Sequence, residues 1–570
     1  MESAANYAIG QQDFKVLREG GALYIDKTFF IEKIVRSQSM YYFLARPRRF
    51  GKSLFLSALR YFFEGRRDLF KGLHIDTADW DWQPYPVLYI DLNTDRYAGP
   101  GMLDGVLDRL FREWEEKYDV NVMDEGYSQR FATIIKAAHE KTGRRVVILV
   151  DEYDKPLVGN LNNDASFEHY RERLSSLYSN FKSSAEHIRL VFLTGVSRFS
   201  KLSVFSDLNN INDITFSNDY ADICGITEKE LLDNFKPGIE RLAAKREVDY
   251  QEACEMLKKN YDGYRFAIEG SDIYNPWSVL NCLDKLFIDD YWNATGAATV
   301  IAQALYSADV DIEETLNAQW NFRDLSGLDL RNANPTALLY QTGYLTIADY
   351  DPATNRVRLK VPNEEVKKGL FNNLLPCYVK VKRGDVNKLV SDIIFAIYDG
   401  RPEVMMRSLQ TYFDGIPYDL KIENENNFQN AFFILMTLIG VNAKAEVHTS
   451  DGRIDLLIET PKFIYIIELK YDSSPDEALC QIEEKQYERK FSSEQRKIFK
   501  IGVSFSSVTR RIEGWKEGRA GRVENTEKSL NEEKYKIARN LVALGLSYED
   551  IANATGLSKE EVSSLRLSST

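Results

Sequence analysis

The sequence predicts a multidomain α/β protein that begins with a doubly wound parallel sheet. Two observations support this prediction. Within residues 1–225, short apolar segments alternate with longer amphipathic ones, as expected when helices cover both faces of a parallel sheet. The chain of 570 residues is also long enough for several domains, at roughly 100–200 residues each.

The strands of the first domain are expected where apolar segments are bounded by turn or charged residues. These segments are Met40–Ala45, Val87–Leu92, Val146–Val150 and Ile188–Leu193. Long amphipathic segments between them are expected helices, such as Ser53–Glu64, Leu103–Tyr118 and Tyr170–Ser183.

Three further regions follow this domain. Residues 226–375 are expected to be a mostly helical lid or winged region, with short strands at Tyr344–Ile347 and Arg356–Val361. Residues 380–515 are expected to form a second α/β domain, and residues 525–570 a small helical tail. In the second domain, helices are expected at Val386–Tyr398 and Phe428–Leu438, and strands at Ala443–His448, Ile454–Glu459 and Phe463–Lys470.

Composition and charge exclude several classes of protein. The net charge of −13 argues against a uniformly basic nucleic-acid coat or a polybasic membrane anchor. No apolar run reaches the roughly 18 residues that span a bilayer, and the first residues lack the pattern of a signal peptide. The five cysteines form no CxxC pair, which argues against a disulfide framework or a zinc ribbon. We therefore expect a cytoplasmic protein without a membrane partner.

A basic loop follows the first expected strand. Residues 46–53 read RPRRFGKS, and their last three match the end of the pattern GxxxxGK[ST]. In that pattern backbone N–H groups and a helix N-terminus bind phosphates, Lys52 reaches the β- and γ-phosphates, and the Ser53 hydroxyl binds Mg²⁺. Arg46 replaces the first glycine, so a basic surface turn is the alternative interpretation. The candidate ATP contacts in this loop are Arg46, Pro47, Arg48, Arg49, Phe50, Gly51, Lys52 and Ser53.

Acidic and polar residues follow two later strands. Residues 144–154 read RRVVILVDEYD, in which Asp151 would hold Mg²⁺ and Glu152 would orient or deprotonate an attacking water. After the next strand, Thr194 or Ser197 could contact the γ-phosphate, and Arg198 could stabilise its charge. Ordinary polar residues at a strand end are the alternative.

A second group of chemistry-bearing residues lies within residues 451–470, which read DGRIDLLIETPKFIYIIELK. Alternation along the second strand places Glu468 and Lys470 on one face, and Asp455 on the paired strand could reach the same place. Two carboxylates can hold Mg²⁺, which activates a water and stabilises charge on a phosphodiester. Lys470 would position that water or stabilise the transition state. The alternative is a charged hairpin exposed to solvent.

The first half of the chain resembles a known family. RPRRFGKSL, VDEYDKPL and LTGVSRFSKLSVFSDLNNINDIT are similar to motifs of the predicted AAA-ATPase-like family found in many bacteria. The segment with Asp26 and Lys27, and NYDGYRF, Tyr274-Asn275-Pro276 and YQTGYLTI, extend the resemblance over residues 6–350. The resemblance implies a P-loop NTPase sheet with a helical lid that binds ATP and Mg²⁺, and the family tolerates the missing first glycine.

The second domain resembles PD-(D/E)xK nucleases of α/β/α architecture, through Asp455, Glu468 and Lys470 and the segment EALCQIEEKQY. The resemblance covers residues 400–510 and implies a nucleic-acid substrate. It also implies that Glu425 is a metal ligand on a helix and that Gln481 and Tyr487 are accessory residues. Helix packing is the alternative role for these last two.

The tail resembles a small helix-turn-helix. Gly545 and Gly556 are expected helix ends, and Ser558 with Glu561 forms a capping box. A docking or oligomerising helical hairpin is the alternative.

These observations lead to three hypotheses. The first is an ATPase that is coupled to Mg²⁺-dependent cleavage of nucleic acid, DNA rather than RNA. The second is an ATP-driven switch or scaffold whose nuclease-like domain only binds a partner or nucleic acid. The third is a transcription regulator that uses the tail. ATPases of this type often complete their active sites between subunits, so a homo-oligomer is also expected.

Overall fold

The structure, a computed structural model, describes residues 6–94, 97, 99, 101–121, 126–160, 163–198, 210–292, 297–308, 310–317, 319–321, 325, 335–378, 383–414, 425–439, 442–448, 453–491, 495–506 and 511–518. The chain divides into two compact units, Met1–Cys377 and Tyr378–Thr570. The tail expected over residues 525–570 lies outside the described residues.

The first unit begins with alternating helices and strands. The helices are α1 (Phe14–Glu19), α2 (Thr28–Arg36), α3 (Lys52–Phe63), α4 (Arg67–Phe70), α5 (Met102–Tyr118), α6 (Tyr127–Thr142), α7 (Lys155–Val158) and α8 (Asp164–Ser183). The strands are β1 (Tyr41–Ala45), β2 (Val87–Asp91), β3 (Val146–Asp151), β4 (Ile188–Gly195) and β5 (Asn212–Asp213).

Among the residues described, these five strands form one sheet in the order β2-β3-β4-β1-β5. Every pairing in it is parallel. The carboxyl ends of β1, β3 and β4 therefore lie at one edge, where the loop before α3 also begins. In open parallel sheets this edge is where ligands bind.

Helices cover both faces of this sheet. Alternate residues of β3 and β4, such as Ile148 and Val191, belong to a core that also contains Phe111 of α5, Phe131 of α6 and Leu174 of α8. On the opposite face, Phe55 of α3 contacts Phe192 of β4, with ring centroids 5.9 Å apart. Burial on both faces explains why the strands read as nearly continuous apolar segments.

The rest of the first unit is largely helical. Its helices are α9 (Glu228–Arg246), α10 (Tyr250–Tyr261), α11 (Pro276–Lys285), α12 (Ala297–Ser307), α13 (Ile312–Asn317), α14 (Pro335–Thr342) and α15 (Glu364–Tyr378). Its strands are β6 (Ile226–Thr227), β7 (Ile273–Tyr274), β8 (Gln319–Asn321), β9 (Thr346–Asp351) and β10 (Arg356–Lys360). Helices α9, α10 and α11 share a separate apolar core that includes Phe235, Leu257 and Val279.

The second unit is a mixed sheet with helices on both sides. It contains α16 (Arg383–Tyr398), α17 (Pro402–Asp414), α18 (Glu425–Ile439), α19 (Pro475–Glu484), β11 (Asn442–His448), β12 (Arg453–Glu459), β13 (Phe463–Tyr471), β14 (Lys497–Phe505) and β15 (Ile512–Glu517). The sheet order is β11-β12-β13-β14-β15, and only the β13–β14 pair is parallel among the pairings described.

The two faces of this second sheet pack against different helices. Ile464 and Ile466 of β13 share a core with Leu479 and Ile482 of α19. On the other face, the Tyr465 hydroxyl donates to the carbonyl of Ile397 at the end of α16, at 2.7 Å. Even-numbered residues of β13 therefore face α19.

The predicted mixed α/β architecture with a parallel sheet is confirmed. Strands β14 and β15 were not among the expected strands. Strand β14 carries Lys497, Lys500 and Ser504 among its apolar residues, so its full length shows neither a continuous apolar run nor strict alternation. Strand β15 is a short, mostly polar edge strand. No helix in the described part of the chain is both long and apolar enough to cross a membrane.

Candidate functional sites

The loop between β1 and α3 contains a backbone conformation that favours glycine. Gly51 has a φ of +94°, a left-handed conformation that glycine adopts readily and other residues only at a cost. Helix α3 starts at the next residue, Lys52. Because the first N–H groups of a helix have no partner within it, this N-terminus can bind an anion.

Lys52 and its neighbours line the inside of this loop. Lys52 is only 4% exposed, and its Nζ donates to the carbonyl oxygens of Arg46 and Pro47, at 2.9 and 3.1 Å. Both Lys52 and Ser53 line a cavity that opens in front of this loop. Phe50 borders the cavity as well, but its ring is buried, with its centroid 4.7 Å from that of Tyr264. The loop therefore presents its cation and hydroxyl to the cavity and anchors itself with an aromatic side chain.

Arg46 supports the loop from behind. Its guanidinium is 1% exposed and donates to the carbonyl oxygens of Ala45, Thr215 and Tyr220, at 3.0, 2.6 and 3.1 Å. Burial lowers the pKa of Arg46 to about 10, and the guanidinium lies 4.4 Å from the centroid of Phe266. With its side chain engaged in this way, Arg46 is not part of the cavity lining, which begins in this loop at Arg48.

The two acidic residues after β3 differ in their surroundings. Asp151 is buried, and its Oδ1 accepts hydrogen bonds from the Thr194 hydroxyl at 2.5 Å and the Glu152 N–H at 3.0 Å. Glu152 lines the cavity, and its backbone φ of +49° is left-handed, a strain of the kind found at functional sites. Burial raises the pKa of the Glu152 carboxyl, although nearby Lys52 acts in the opposite direction.

The other two polar residues expected near the γ-phosphate are engaged elsewhere. The Ser197 N–H donates to Asp154 at 2.7 Å, and its hydroxyl donates to the same carboxylate. Arg198 pairs with Asp213 and lines a small separate pocket beside Arg46. Of the strand-end candidates, Thr194 is therefore the one in contact with Asp151.

A cavity of about 590 Å³ opens in front of this loop. One part of its lining is charged and polar: Arg48, Lys52, Ser53, Asn93, Glu152 and Lys155. Another part is apolar: Leu23, Ile25, Ile226, Phe235, Trp277 and Leu280. These apolar residues belong to the core of the helical region or pack against it. The cavity therefore combines a polar end at the edge of the sheet with an apolar wall.

Two residues of this cavity were not among the sequence candidates with a chemical role. Lys155 lies in the first turn of α7, and its Nζ donates to the carbonyl of Asn93 at 3.0 Å and to the side-chain oxygen of the same residue. Trp277 follows the Tyr274-Asn275-Pro276 motif directly. Lys155 stands only four residues after Asp151, and this spacing was the signal that could have identified it.

Lys27, from the entry motif, also lines the cavity. Its ammonium group pairs with Glu230 of α9 at 2.7 Å. Its neighbour Asp26 accepts hydrogen bonds from the N–H and hydroxyl of Thr28 and from the N–H of His74. These contacts tie the N-terminal segment to both parts of the first unit.

In the second unit, Asp455 and Glu468 lie on neighbouring antiparallel strands. Leu456 pairs with Ile467, so Asp455 stands opposite Glu468 one step further along. Residues directly opposite in such a pair point to the same face. The Asp455 carboxylate also accepts a hydrogen bond from the N–H of Leu469 at 2.9 Å, which holds it beside the end of β13.

Gln481 of α19 joins the other members of this group. Its Nε2 donates to Glu468, which is 1% exposed, and its Oε1 accepts from the ammonium group of Lys470. Lys470 Nζ lies 3.9 Å from the Glu468 carboxylate. The Tyr487 hydroxyl lies 3.4 Å from Gln481 Nε2. The Gln481 side-chain amide therefore links Glu468 and Lys470 of the predicted motif in one hydrogen-bond network.

Glu425, the expected third ligand, is the first residue of α18, but its side chain lies outside the described residues. Within the part of the chain that is described, no group of three or more histidine, cysteine, aspartate or glutamate side chains is arranged to hold a metal ion. Asp455 and Glu468 supply two carboxylates on one face, and hard cations such as Mg²⁺ prefer such oxygen ligands.

Comparison with known families confirms both resemblances. Residues 8–205 match the family model for a predicted AAA-ATPase, and residues 423–515 match that of the PD-(D/E)XK nuclease superfamily. Residues 531–567 match the C-terminal HTH domain of the Rpn/YhgA-like nuclease family. Proteins of the first two families generally use a nucleotide and a divalent metal, and the nuclease and HTH matches suggest interaction with nucleic acid.

A relative of nearly the same length gives the family assignment for the whole chain. It is a protein of Azotobacter chroococcum mcd 1 described as an uncharacterized protein in the vnfD 5' region. The two are 33% identical over 518 residues, which is 89% of this chain and 98% of the relative. This chain therefore belongs to the predicted AAA-ATPase family, in the form that carries a PD-(D/E)XK nuclease-superfamily domain towards its C-terminus.

Proposed function

We propose that the first unit is a P-loop NTPase that binds and hydrolyses ATP with Mg²⁺ in the cavity in front of α3. The observation that carries this proposal is the convergence of Lys52, Ser53, Glu152 and Lys155 on one cavity. Cations and a helix N-terminus would bind the triphosphate. The sheet order β2-β3-β4-β1-β5 with helices on both faces supports a doubly wound fold.

A serine of the cavity lining and a buried carboxylate at the end of β3 suit Mg²⁺. The Ser53 hydroxyl and the Asp151 carboxylate are hard oxygen donors of the kind that this ion prefers, and Thr194 fixes the Asp151 carboxylate in place. When bound, Mg²⁺ would neutralise charge on the phosphates. Glu152 would accept the proton of the attacking water, since burial raises its pKa towards the range useful for a general base. Lys52 would compensate the charge that develops on the phosphates.

We further propose that the second unit cleaves phosphodiester bonds of nucleic acid, DNA rather than RNA. Asp455 and Glu468 would hold Mg²⁺, with Glu425 as a further ligand, and the bound metal would supply an activated water and charge stabilisation. Lys470 would orient that water or stabilise the transition state. Gln481 keeps Lys470 and Glu468 together, and Tyr487 supports Gln481.

One observation favours a second candidate function. Glu468 and Lys470 are both hydrogen-bonded to Gln481. A domain in which these side chains only stabilise the fold would bind nucleic acid or a partner without cutting it. The protein would then be an ATP-driven switch or scaffold. In both cases we propose a bacterial cytoplasmic protein that assembles as a homo-oligomer, with a tail that binds DNA or docks onto a partner.

The first experiment measures ATP binding and hydrolysis by wild type, Lys52→Ala and the control Lys71→Ala. Lys71 is exposed and lies outside the cavity lining. We expect Lys52→Ala to lose ATP binding, whereas Lys71→Ala should behave as wild type. Unchanged ATP affinity and hydrolysis in Lys52→Ala would refute the assignment of the phosphate-binding loop.

The second experiment measures cleavage of labelled linear and circular DNA with Mg²⁺ or Mn²⁺, with and without ATP. It compares wild type, Lys470→Ala and the control Lys490→Ala, whose lysine is exposed in the same unit. Cleavage that only Lys470→Ala abolishes would support the nuclease. If no DNA is cut and RNA substrates are also intact, the switch or scaffold becomes the better hypothesis.

A further inference from the structure

The apolar wall of the nucleotide cavity has no role in the proposed phosphate chemistry. Triphosphate groups, Mg²⁺ and the attacking water all belong at the polar end, beside Lys52 and Glu152. The wall is built from residues of the helical region's core or residues packed on it, among them Phe235 and Leu280. Such a wall suits a ligand part that is flat, uncharged and poorly hydrated.

Trp277 is the largest side chain of this wall. It is the second residue of α11, and its indole Nε1 donates to the carbonyl of Tyr291 at 3.1 Å. This hydrogen bond fixes the plane of the ring. The N-terminal segment passes close to the same ring, because a Cβ atom added at Gly10 would lie 3.2 Å from it. The ring is therefore held rigidly in the cavity lining.

A planar group already lies on one face of this indole. The Arg49 guanidinium is 3.8 Å from the ring centroid, and its Nη1 lies 3.4 Å from the carbonyl of Tyr291. Arg49 belongs to the phosphate-binding loop, so the face of Trp277 is within reach of a ligand held by that loop. The separation of 3.8 Å is also the distance at which flat groups stack.

We propose that Trp277, with the apolar wall around it, is the nucleobase subsite of this cavity. This inference rests on the proposed nucleotide binding and extends it. The base stacks on the indole in place of Arg49, and the triphosphate lies at the polar end. The site accordingly selects nucleoside triphosphates over inorganic polyphosphates, because only the former supply a flat heterocycle to cover the wall.

The test compares two substitutions that both remove the indole N–H. Trp277→Phe keeps an aromatic face, whereas Trp277→Leu keeps apolar volume without one. Equilibrium binding of ATP and of inorganic tripolyphosphate, each with Mg²⁺, is measured by calorimetry for the full-length wild type and both variants. Tripolyphosphate has no base, so it reports the polar end alone and also shows that each variant is folded.

We expect Trp277→Leu to weaken ATP binding by about 10- to 100-fold, because this variant lacks the aromatic ring on which the base stacks. We expect Trp277→Phe to bind ATP within about threefold of wild type, since a smaller aromatic face still stacks. Tripolyphosphate should bind all three proteins equally, and more weakly than ATP binds to wild type.

Three results would overturn the inference. Wild-type ATP affinity in Trp277→Leu would show that the base does not stack on this ring. A parallel loss of tripolyphosphate binding in that variant would show that Trp277 supports the whole cavity and not a base. A wild-type protein that binds neither ligand would overturn the proposed nucleotide binding itself, and this subsite with it.

Discussion

Glu365 is a buried carboxyl whose ionisation should control the stability of the first unit. It lies at the start of α15, is 1% exposed, and accepts hydrogen bonds from the Ser278 hydroxyl at 2.7 Å and the Trp292 N–H at 2.8 Å. Burial, opposed by these hydrogen bonds and assisted by the nearby charge of Asp290, raises the pKa of Glu365 to about 7.

The sign and size of the effect follow from this pKa. Its ordinary value is 4.5, so between about pH 4.5 and about pH 7 the folded state keeps a proton that the unfolded state has released. The stabilisation is therefore fully present below about pH 4.5 and is lost as the pH rises through about 7. At about 1.4 kcal/mol for each pKa unit, the loss between about pH 5 and about pH 8 is about 2.5 kcal/mol.

Replacement by glutamine removes the ionisation and keeps the size of the side chain. The free energy of unfolding of wild type should therefore fall by about 2.5 kcal/mol more than that of Glu365→Gln between about pH 5 and about pH 8. Glu364→Gln, at the partly exposed neighbouring position, is the control and should follow wild type.

Urea unfolding followed by tryptophan fluorescence measures this difference. Six of the seven tryptophans of the chain precede residue 378, and Trp515→Phe in every protein removes the seventh. The signal then reports the first unit alone. A difference between wild type and Glu365→Gln that stays constant within about 0.5 kcal/mol across this pH range would refute the reasoning.

Three further substitutions test the two sites. Lys155→Met should lower the rate of ATP hydrolysis by about 10- to 100-fold with little change in ATP affinity, because it removes a cation that acts on the developing charge; an unchanged turnover number would contradict this role. Thr194→Val should raise the Mg²⁺ concentration needed for half-maximal hydrolysis, since Asp151 loses its hydrogen bond, and an identical Mg²⁺ titration would count against it. Gln481→Leu should slow DNA cleavage by about 10- to 100-fold relative to the neighbouring exposed control Cys480→Ser, and equal rates would remove Gln481 from the site.

The features that the sequence predicts best are strand positions and the faces of strands, because both depend on the local pattern of residues. The strands around Phe43, Ile148 and Val191 are short apolar runs between polar residues, and the structure has strands there. The alternation that sets Glu468 and Lys470 on one face needs only the period of a strand. The packing of Ile464 and Ile466 against α19 agrees with it.

Other features depend on contacts between distant parts of the chain. Arg198 follows a strand end next to Thr194, yet its guanidinium pairs with Asp213, and nothing in the local sequence distinguishes that pairing from a role at the phosphate. Trp277 lies more than two hundred residues after the loop that it contacts. Its position in the cavity depends on how α11 packs against the rest of the unit. The spacing of apolar residues along α11 does not predict that packing.

The buried Arg46 changes what the first position of the phosphate-binding loop requires. A glycine there would remove the guanidinium donor from the carbonyls of Ala45, Thr215 and Tyr220, and buried carbonyl groups that lose a donor are costly. A single substitution of Arg46 by glycine would therefore be destabilising. Thr215 and Tyr220 belong to a distant segment, which would have to change together with position 46. Searches that demand the first glycine would pass over such chains, whereas a search that accepts an arginine at this position together with the downstream segment would find them.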